Sequence, residues 1–190
     1  MIKKLKQFGF AILLSSLIIS CSDDDSDDFV ACAAEAESGY VTQVSEEKSD
    51  VYTSIVINAT PNQVWEVLTD FEKMPNWSST FKGLEGDVRD GGQINALFLT
   101  QGQVIGFPHA LIYDEGVSYG WSDEIITIPG IVDNHFYTIE NCGSEVLFVQ
   151  TDEFTGNNEN IPAFGLANAV LEGYQTFNKE LKEEVERRFN

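Results

Sequence analysis

Basic side chains are scarce in this chain. Only 11 lysines and arginines stand against 31 acids over 190 residues, for a net charge of −20. Such a surface repels phosphate backbones, so no nucleic-acid partner is expected. Histidine and cysteine are few as well, two and three respectively. They leave little material for a four-ligand zinc centre, and neither a metal nor a cofactor is expected. The three arginines, Arg89, Arg187 and Arg188, all fall at the ends of expected elements, so an anionic substrate would lack a buried guanidinium clamp. Gly-x-Ser-x-Gly, a glycine-rich phosphate loop and a cysteine with an obvious histidine partner are all missing. A disulfide-stapled miniature fold is excluded too, because a chain of this length buries a core unaided. What is present, 43% apolar and 12% aromatic residues, suits one compact domain.

Residues 1–20 stand apart from that domain. Lys3, Lys4 and Lys6 precede an apolar run from Phe8 to Ile19, too short for a comfortable membrane span and readable as a signal peptide. The run ends Leu17-Ile18-Ile19-Ser20-Cys21, which resembles the lipobox of bacterial lipoproteins. That resemblance implies cleavage before Cys21, lipidation of Cys21 and anchoring in the cell envelope, at the outer membrane. Acyl chains would hold firmly, at about 0.8 kcal/mol per buried CH₂. Without residues 1–20 the chain keeps 8 basic and 31 acidic side chains, a net of −23, so a polybasic contact with anionic lipid is not a second anchor.

Residues 21–50 are read as a flexible acidic tether, because Ser22-Asp23-Asp24-Asp25-Ser26-Asp27-Asp28 can bury no apolar area. An acidic stretch after a lipidated cysteine also resembles a surface-export signal, so surface exposure and a plain solvated spacer both stay open. Cys32 and Cys142 would pin the tether to the domain if they bonded. Sequence leaves that open as well.

The domain is expected over 51–190. Val51 to Ile57 is rich in β-branched residues and predicts a strand. Thr60 and Pro61 then start a short helix with Val64, Trp65, Val67 and Leu68 on one face, and a second helical turn stops at Pro75. Apolar segments follow at 81–88, 92–100, 104–113, 117–121, 131–139 and 146–154, divided by turns such as Asp90-Gly91-Gly92 and Asp114-Glu115-Gly116. Short connectors imply antiparallel pairing. A long helix closes the chain from about 161 to 188, with Ala163, Leu166, Val170, Tyr174, Phe177, Leu181 and Val185 as one stripe. Its first half is apolar on most sides and is expected to be buried nearly all round. The class is α+β, a sheet packed over a helix.

Val64 to Trp77, together with Ala59-Thr60-Pro61, Leu84-Glu85-Gly86, Trp121 and Phe154-Thr155-Gly156, resembles the START/polyketide cyclase/Bet v 1-like (SRPBCC) superfamily. The resemblance spans about 51–188. It implies the helix-grip fold: a curved antiparallel sheet of about seven strands wrapped around the C-terminal helix, with two short helices after the first strand. It also implies a cavity between sheet and helix for a hydrophobic or amphipathic small molecule or lipid.

Strand alternation offers Ile94, Ala96 and Phe98 as one inward set, Phe107, His109 and Leu111 as the next, and Val117, Tyr119 and Trp121 as a third. With Trp77 and with Phe164, Leu171 and Tyr174 of the helix, the candidate ligand contacts are Trp77, Phe98, Phe107, His109, Tyr119, Trp121, Phe164, Leu171 and Tyr174. Each aromatic has ordinary core as its alternative. His109 is the candidate catalytic residue, poised to serve as a general base or to hydrogen-bond a ligand oxygen. His135 and Asp133 share a face by their spacing of two, as an acid–base pair or as a solvated edge. The expected function is an anchored, monomeric binding domain for a hydrophobic small molecule. A cyclase- or hydrolase-type enzyme using His109, and an interaction module with a filled cavity, are the alternatives.

Overall fold

The computed structural model describes residues 37–189. The signal peptide, Cys21, Cys32 and the acidic run lie outside those residues. Nine strands, β1 (Glu37–Ser45), β2 (Lys48–Ile57), β3 (Phe81–Gly86), β4 (Gln93–Thr100), β5 (Gln103–Ala110), β6 (Ile112–Asp114), β7 (Ser118–Glu124), β8 (Ile131–Asn141) and β9 (Val146–Gly156), accompany helices α1 (Pro61–Leu68) and α2 (Ala163–Phe189). A single 3₁₀ turn, Met74–Asn76, stands where the second short helix is expected. The arrangement is the curved antiparallel sheet and long C-terminal helix of the helix-grip fold.

The strands hydrogen-bond in two groups, β1-β2-β9-β8-β7-β6 and β3-β4-β5. The first correction to the sequence reading is β1. It pairs antiparallel with β2 from Glu37 opposite Ile55 to Ser45 opposite Lys48, within the stretch 21–50 read as tether. Six of its nine side chains are exposed and none is fully buried, so no clear apolar alternation marks it. Pairing with β2 defines this strand, not composition.

Local signals set the other elements. Thr60 and Gln63 form a capping box: Gln63 N–H donates to Thr60 Oγ1 at 3.4 Å and Thr60 N–H to Gln63 Oε1 at 2.8 Å. Gln101 and Gly102 both have positive φ, as a two-residue hairpin between β4 and β5 requires. A register shift between Phe81 and Gly83 bends β3, and Gly83 sits at φ 106° with Phe71 closing on its Cα.

The main core lies between the sheet and the C-terminal half of α2. Phe177, Leu181 and Val185 are buried against Phe81, Tyr137, Phe148 and Ile57. Each contributes on the order of 1.5–3 kcal/mol by apolar burial. The N-terminal half of α2 corrects the expectation of burial all round. Ala163 and Ala167 are buried, but Leu166, Val170 and Leu171 are only partly so and Phe164 is 40% exposed. That half overhangs an open pocket, so its apolar faces meet space where the other half meets core.

The far end of α2 is tied down by charge. Glu184 accepts from Arg187 Nε and Nη2 and from Arg188 Nε, each at 2.7 Å, and Arg188 Nη1 reaches Asp70 Oδ2 at 3.4 Å in the turn after α1. These bonds, Arg187 foremost, hold the Glu184 carboxyl below its ordinary value. A depressed carboxyl contributes stability that is complete above the unfolded value near 4.5 and is lost as pH falls through the folded one. Glu184→Gln should therefore lower stability by about 1–2 kcal/mol at pH 7, with the difference shrinking as pH falls below the unfolded value near 4.5. Urea denaturation of both proteins across pH 3–7 checks this. A difference independent of pH would contradict it.

Candidate ligand-binding site

The concave face of the sheet reads in rungs because β7, β8 and β9 are in antiparallel register. Tyr119 lies opposite Tyr137, which lies opposite Gln150. Trp121, His135 and Asp152 form the next rung, and Asp123, Asp133 and Phe154 the last. Alternation sends all nine to the same side, where Tyr119, Trp121, His135, Tyr137, Gln150, Asp152 and Phe154 are buried. The rungs pass from aromatic to polar as they approach the N-terminal half of α2.

Beyond the last rung lies a pocket of about 320 Å³. Phe98 and Phe107 form one wall from the β4–β5 hairpin, and Ile125 and Ile128 close it from the β7–β8 connection. Leu166, Ala169, Val170 and Tyr174 roof it from α2. His109, Asp133 and Tyr174 are its ionisable lining groups. The exposed wall is mainly apolar, and Leu99, Ile126 and Phe164, next in sequence to the lining region, remain solvent-exposed. The space is not filled by side chains, which argues against the interaction module with a packed cavity. A further depression of about 360 Å³ lies on the outer face around Tyr40, Thr42, Tyr52 and Thr151. It is as polar as it is apolar, and of the buried polar groups only Asp152 reaches its lining, so the inner pocket is the better site.

Polar side chains line the inner end in a connected series. His109 Nδ1 lies 2.5 Å from Asp123 Oδ1, and its ring stacks on Trp121 at 4.7 Å. Trp121 Nε1–H donates to Asp133 Oδ2 at 3.0 Å. Tyr174 O–H donates to Asp152 Oδ2 at 2.6 Å and lies 3.4 Å from His135 Nδ1. The Gln150 amide holds His135 Nε2 at 2.8 Å. Burial pushes His135 down to about 3, with the charge of His109 a lesser cause, so its imidazole is neutral at pH 7. Burial raises Asp152 well above the carboxylate range and the Asp133 charge adds to this; burial also raises Asp133. Two carboxyl groups so placed favour holding one proton between them.

Four of the nine candidate ligand contacts meet at this pocket, Phe98, Phe107, His109 and Tyr174, and Asp133 joins them. Trp121 lies directly behind His109. The other four are elsewhere. Tyr119 is in the main core against Phe71 and Tyr137, and Trp77 packs on Phe177 toward the opposite end of α2. Phe164 points to solvent, and Leu171 packs in the smaller apolar cluster without lining the pocket. Sequence reasoning passed over Asp152, Gln150, Ile125 and Val170. The signal for the first two was the alternation Phe148, Gln150, Asp152, Phe154, hidden because both faces of 146–149 are apolar.

Residues 48–186 match the model of the family described as polyketide cyclase/dehydrase and lipid transport. The chain belongs to that family. Among solved structures it is similar to the ZhuI aromatase/cyclase from Streptomyces sp. R1128, with 13% identity and a TM-score of 0.61 over 75% of this chain and 96% of that one. It is also similar to a START superfamily protein from Mycobacterium smegmatis, with 18% identity and a TM-score of 0.55 over 73% and 98%. At these identities the likeness is one of fold. A search of curated proteins found no match.

Proposed function

We propose that the protein binds a hydrophobic or amphipathic small molecule in the pocket between the sheet and the N-terminal half of α2. The observation that supports this most is the pocket's composition: eight apolar or aromatic side chains beside His109, Asp133 and Tyr174 at one end. An apolar body would gain about 25 cal/mol per Å² removed from water, and the polar end would orient a head group. Titration with a neutral apolar dye tests it, through saturable fluorescence enhancement at one site per chain. The absence of saturable binding would overturn the reading.

A second reading, proton transfer on the bound molecule, is favoured by one contact: Asp123 orients the His109 imidazole beside the pocket. Turnover abolished in His109→Ala with dye affinity retained would establish it.

We further propose that Cys21 anchors the protein in the bacterial envelope, at the outer membrane, from the Ile18-Ile19-Ser20-Cys21 motif. Among the described residues no helix is long and apolar enough to cross a membrane. Cys21→Ser should move the protein from the membrane fraction to an unprocessed or soluble form without loss of domain folding. Mass spectrometry of an intact, unacylated Cys21 in the mature protein would end this proposal. Cys142 is disulfide-bonded, and the candidate partner Cys32 lies outside the described residues.

A further inference from the structure

Behind the apolar pocket, β8 and β9 present a group of donors that small-molecule binding does not account for. One donor atom each from Asp133, His135 and Asp152 lies within 4.8 Å of the other two. His135 and Asp152 are each 1% exposed, and Asp133 reaches the pocket wall. Burying two adjacent carboxyl groups is costly unless something positive joins them. Among the described residues no lysine or arginine pairs with either. Each keeps a buried oxygen, Asp133 Oδ1 and Asp152 Oδ1, without a hydrogen-bond partner.

The groups around this cluster hold its members in place. Gln150 engages His135 Nε2, which leaves Nδ1 turned toward Asp152 Oδ2 at 4.0 Å. The amide atom nearest Nε2 is the nitrogen, a donor; turning the amide over, so that its unpartnered Oε1 accepts from Nε2–H, leaves Nδ1 as a free lone pair. Tyr174 fixes Asp152 Oδ2, and Trp121 Nε1–H fixes Asp133 Oδ2. Ligating histidines and carboxylates in metal centres are oriented by outer hydrogen bonds of this kind.

We propose that Asp133, His135 and Asp152 bind one divalent first-row metal ion of the Zn²⁺ or Mn²⁺ type at the polar end of the pocket. One imidazole nitrogen with carboxylate oxygens suits such ions, whereas Ca²⁺ and Mg²⁺ prefer oxygen alone and Cu⁺ prefers sulfur. Two carboxylates and a doubly charged ion form a neutral group, which suits a buried position. Ligand atoms held tetrahedrally at about 2.0–2.2 Å from an ion lie roughly 3.3–3.6 Å apart, so the three side chains would draw together by about 1 Å on binding. Asp133 borders the pocket, so an oxygen of a bound molecule can complete the coordination from that side. The ion site rests on this cluster alone and stands apart from the apolar pocket reading.

The test uses the full chain, stripped with a chelator and then exposed separately to Zn²⁺ and Mn²⁺. After desalting, wild type should retain close to one ion per chain for at least one metal, and its Tm should rise by on the order of 5 °C at a hundredfold excess over Kd. Asp133→Asn, His135→Gln and Asp152→Asn each keep side-chain size and leave the acidic run at 23–28 intact. Each folded variant should lose the retained ion and the Tm shift, and metal-free Asp152→Asn should melt at or above wild type. Co²⁺ added to wild type gives a reading independent of the variants: visible absorption bands of nitrogen–oxygen ligation are expected. Wild type that retains neither Zn²⁺ nor Mn²⁺ and gives no Co²⁺ band, or folded variants that retain the ion as wild type does, would overturn the proposal. Dye binding by the chelator-stripped protein reads the apolar pocket separately, so either reading can fail without the other.

Discussion

Trp121→Ala should lower stability by about 3–5 kcal/mol, a large share of the 5–15 kcal/mol typical of a folded domain. The side chain is fully buried and joins both parts of the interior. Its ring stacks on His109, meets His135 edge-on at 4.9 Å and approaches Phe98 and Tyr137. The loss has two components: a cavity where the indole stood, and Asp133 left without its donor, the latter worth roughly 1–3 kcal/mol. Trp121→Phe keeps part of the ring packing but loses the N–H and some buried volume, so it should fall between. Urea denaturation ranks the three proteins. A loss under about 1 kcal/mol for Trp121→Ala would mean that the tryptophan does not occupy this position. Trp65→Ala should cost less, because Trp65 is only partly buried, over Tyr113 and Tyr119.

Val170→Trp should weaken binding of a neutral apolar dye by at least tenfold, equivalent to about 1.4 kcal/mol, while changing Tm little. Val170 roofs the pocket and is half-buried, so a larger ring there enters the space a ligand would use without overpacking the main core. Leu171→Ala is the matched comparison. Leu171 is adjacent in sequence but faces the smaller apolar cluster, and dye affinity should stay within about threefold of wild type. Equal loss in both variants would place the dye somewhere other than this pocket.

The parts of the structure legible in the sequence are those with a local physical signal. Thr60 and Pro61 start α1 where the capping chemistry puts them, and the stripe from Ala163 to Val185 lies along α2. Period-two alternation correctly turned Ile94, Ala96, His109, Leu111, Tyr119 and Trp121 inward. The parts missed depend on pairing and on emptiness. β1 has no apolar face of its own, and the depth of a pocket is not written in the pattern of a helix. Phe164 and Leu171 are as apolar as Val170, yet α2 rotates only Val170 over the pocket. The argument against a metal counted histidines and cysteines, and so overlooked carboxylates that register alone brings beside His135. Asp133 and His135 share a face by spacing, but Asp152 joins them only because β9 pairs with β8 so that His135 lies opposite Asp152.

The central claim is that an apolar molecule sits between the sheet and the N-terminal half of α2. Methyl-labelled protein titrated with such a molecule and followed by NMR tests it most directly. The methyl signals of Ile125, Ile128, Leu166 and Val170 should shift together and saturate at one equivalent, while those of Ile57, Leu181 and Val185 in the main core stay in place. Shifts absent from the first set, or confined to residues of the outer face such as Val44, would contradict it.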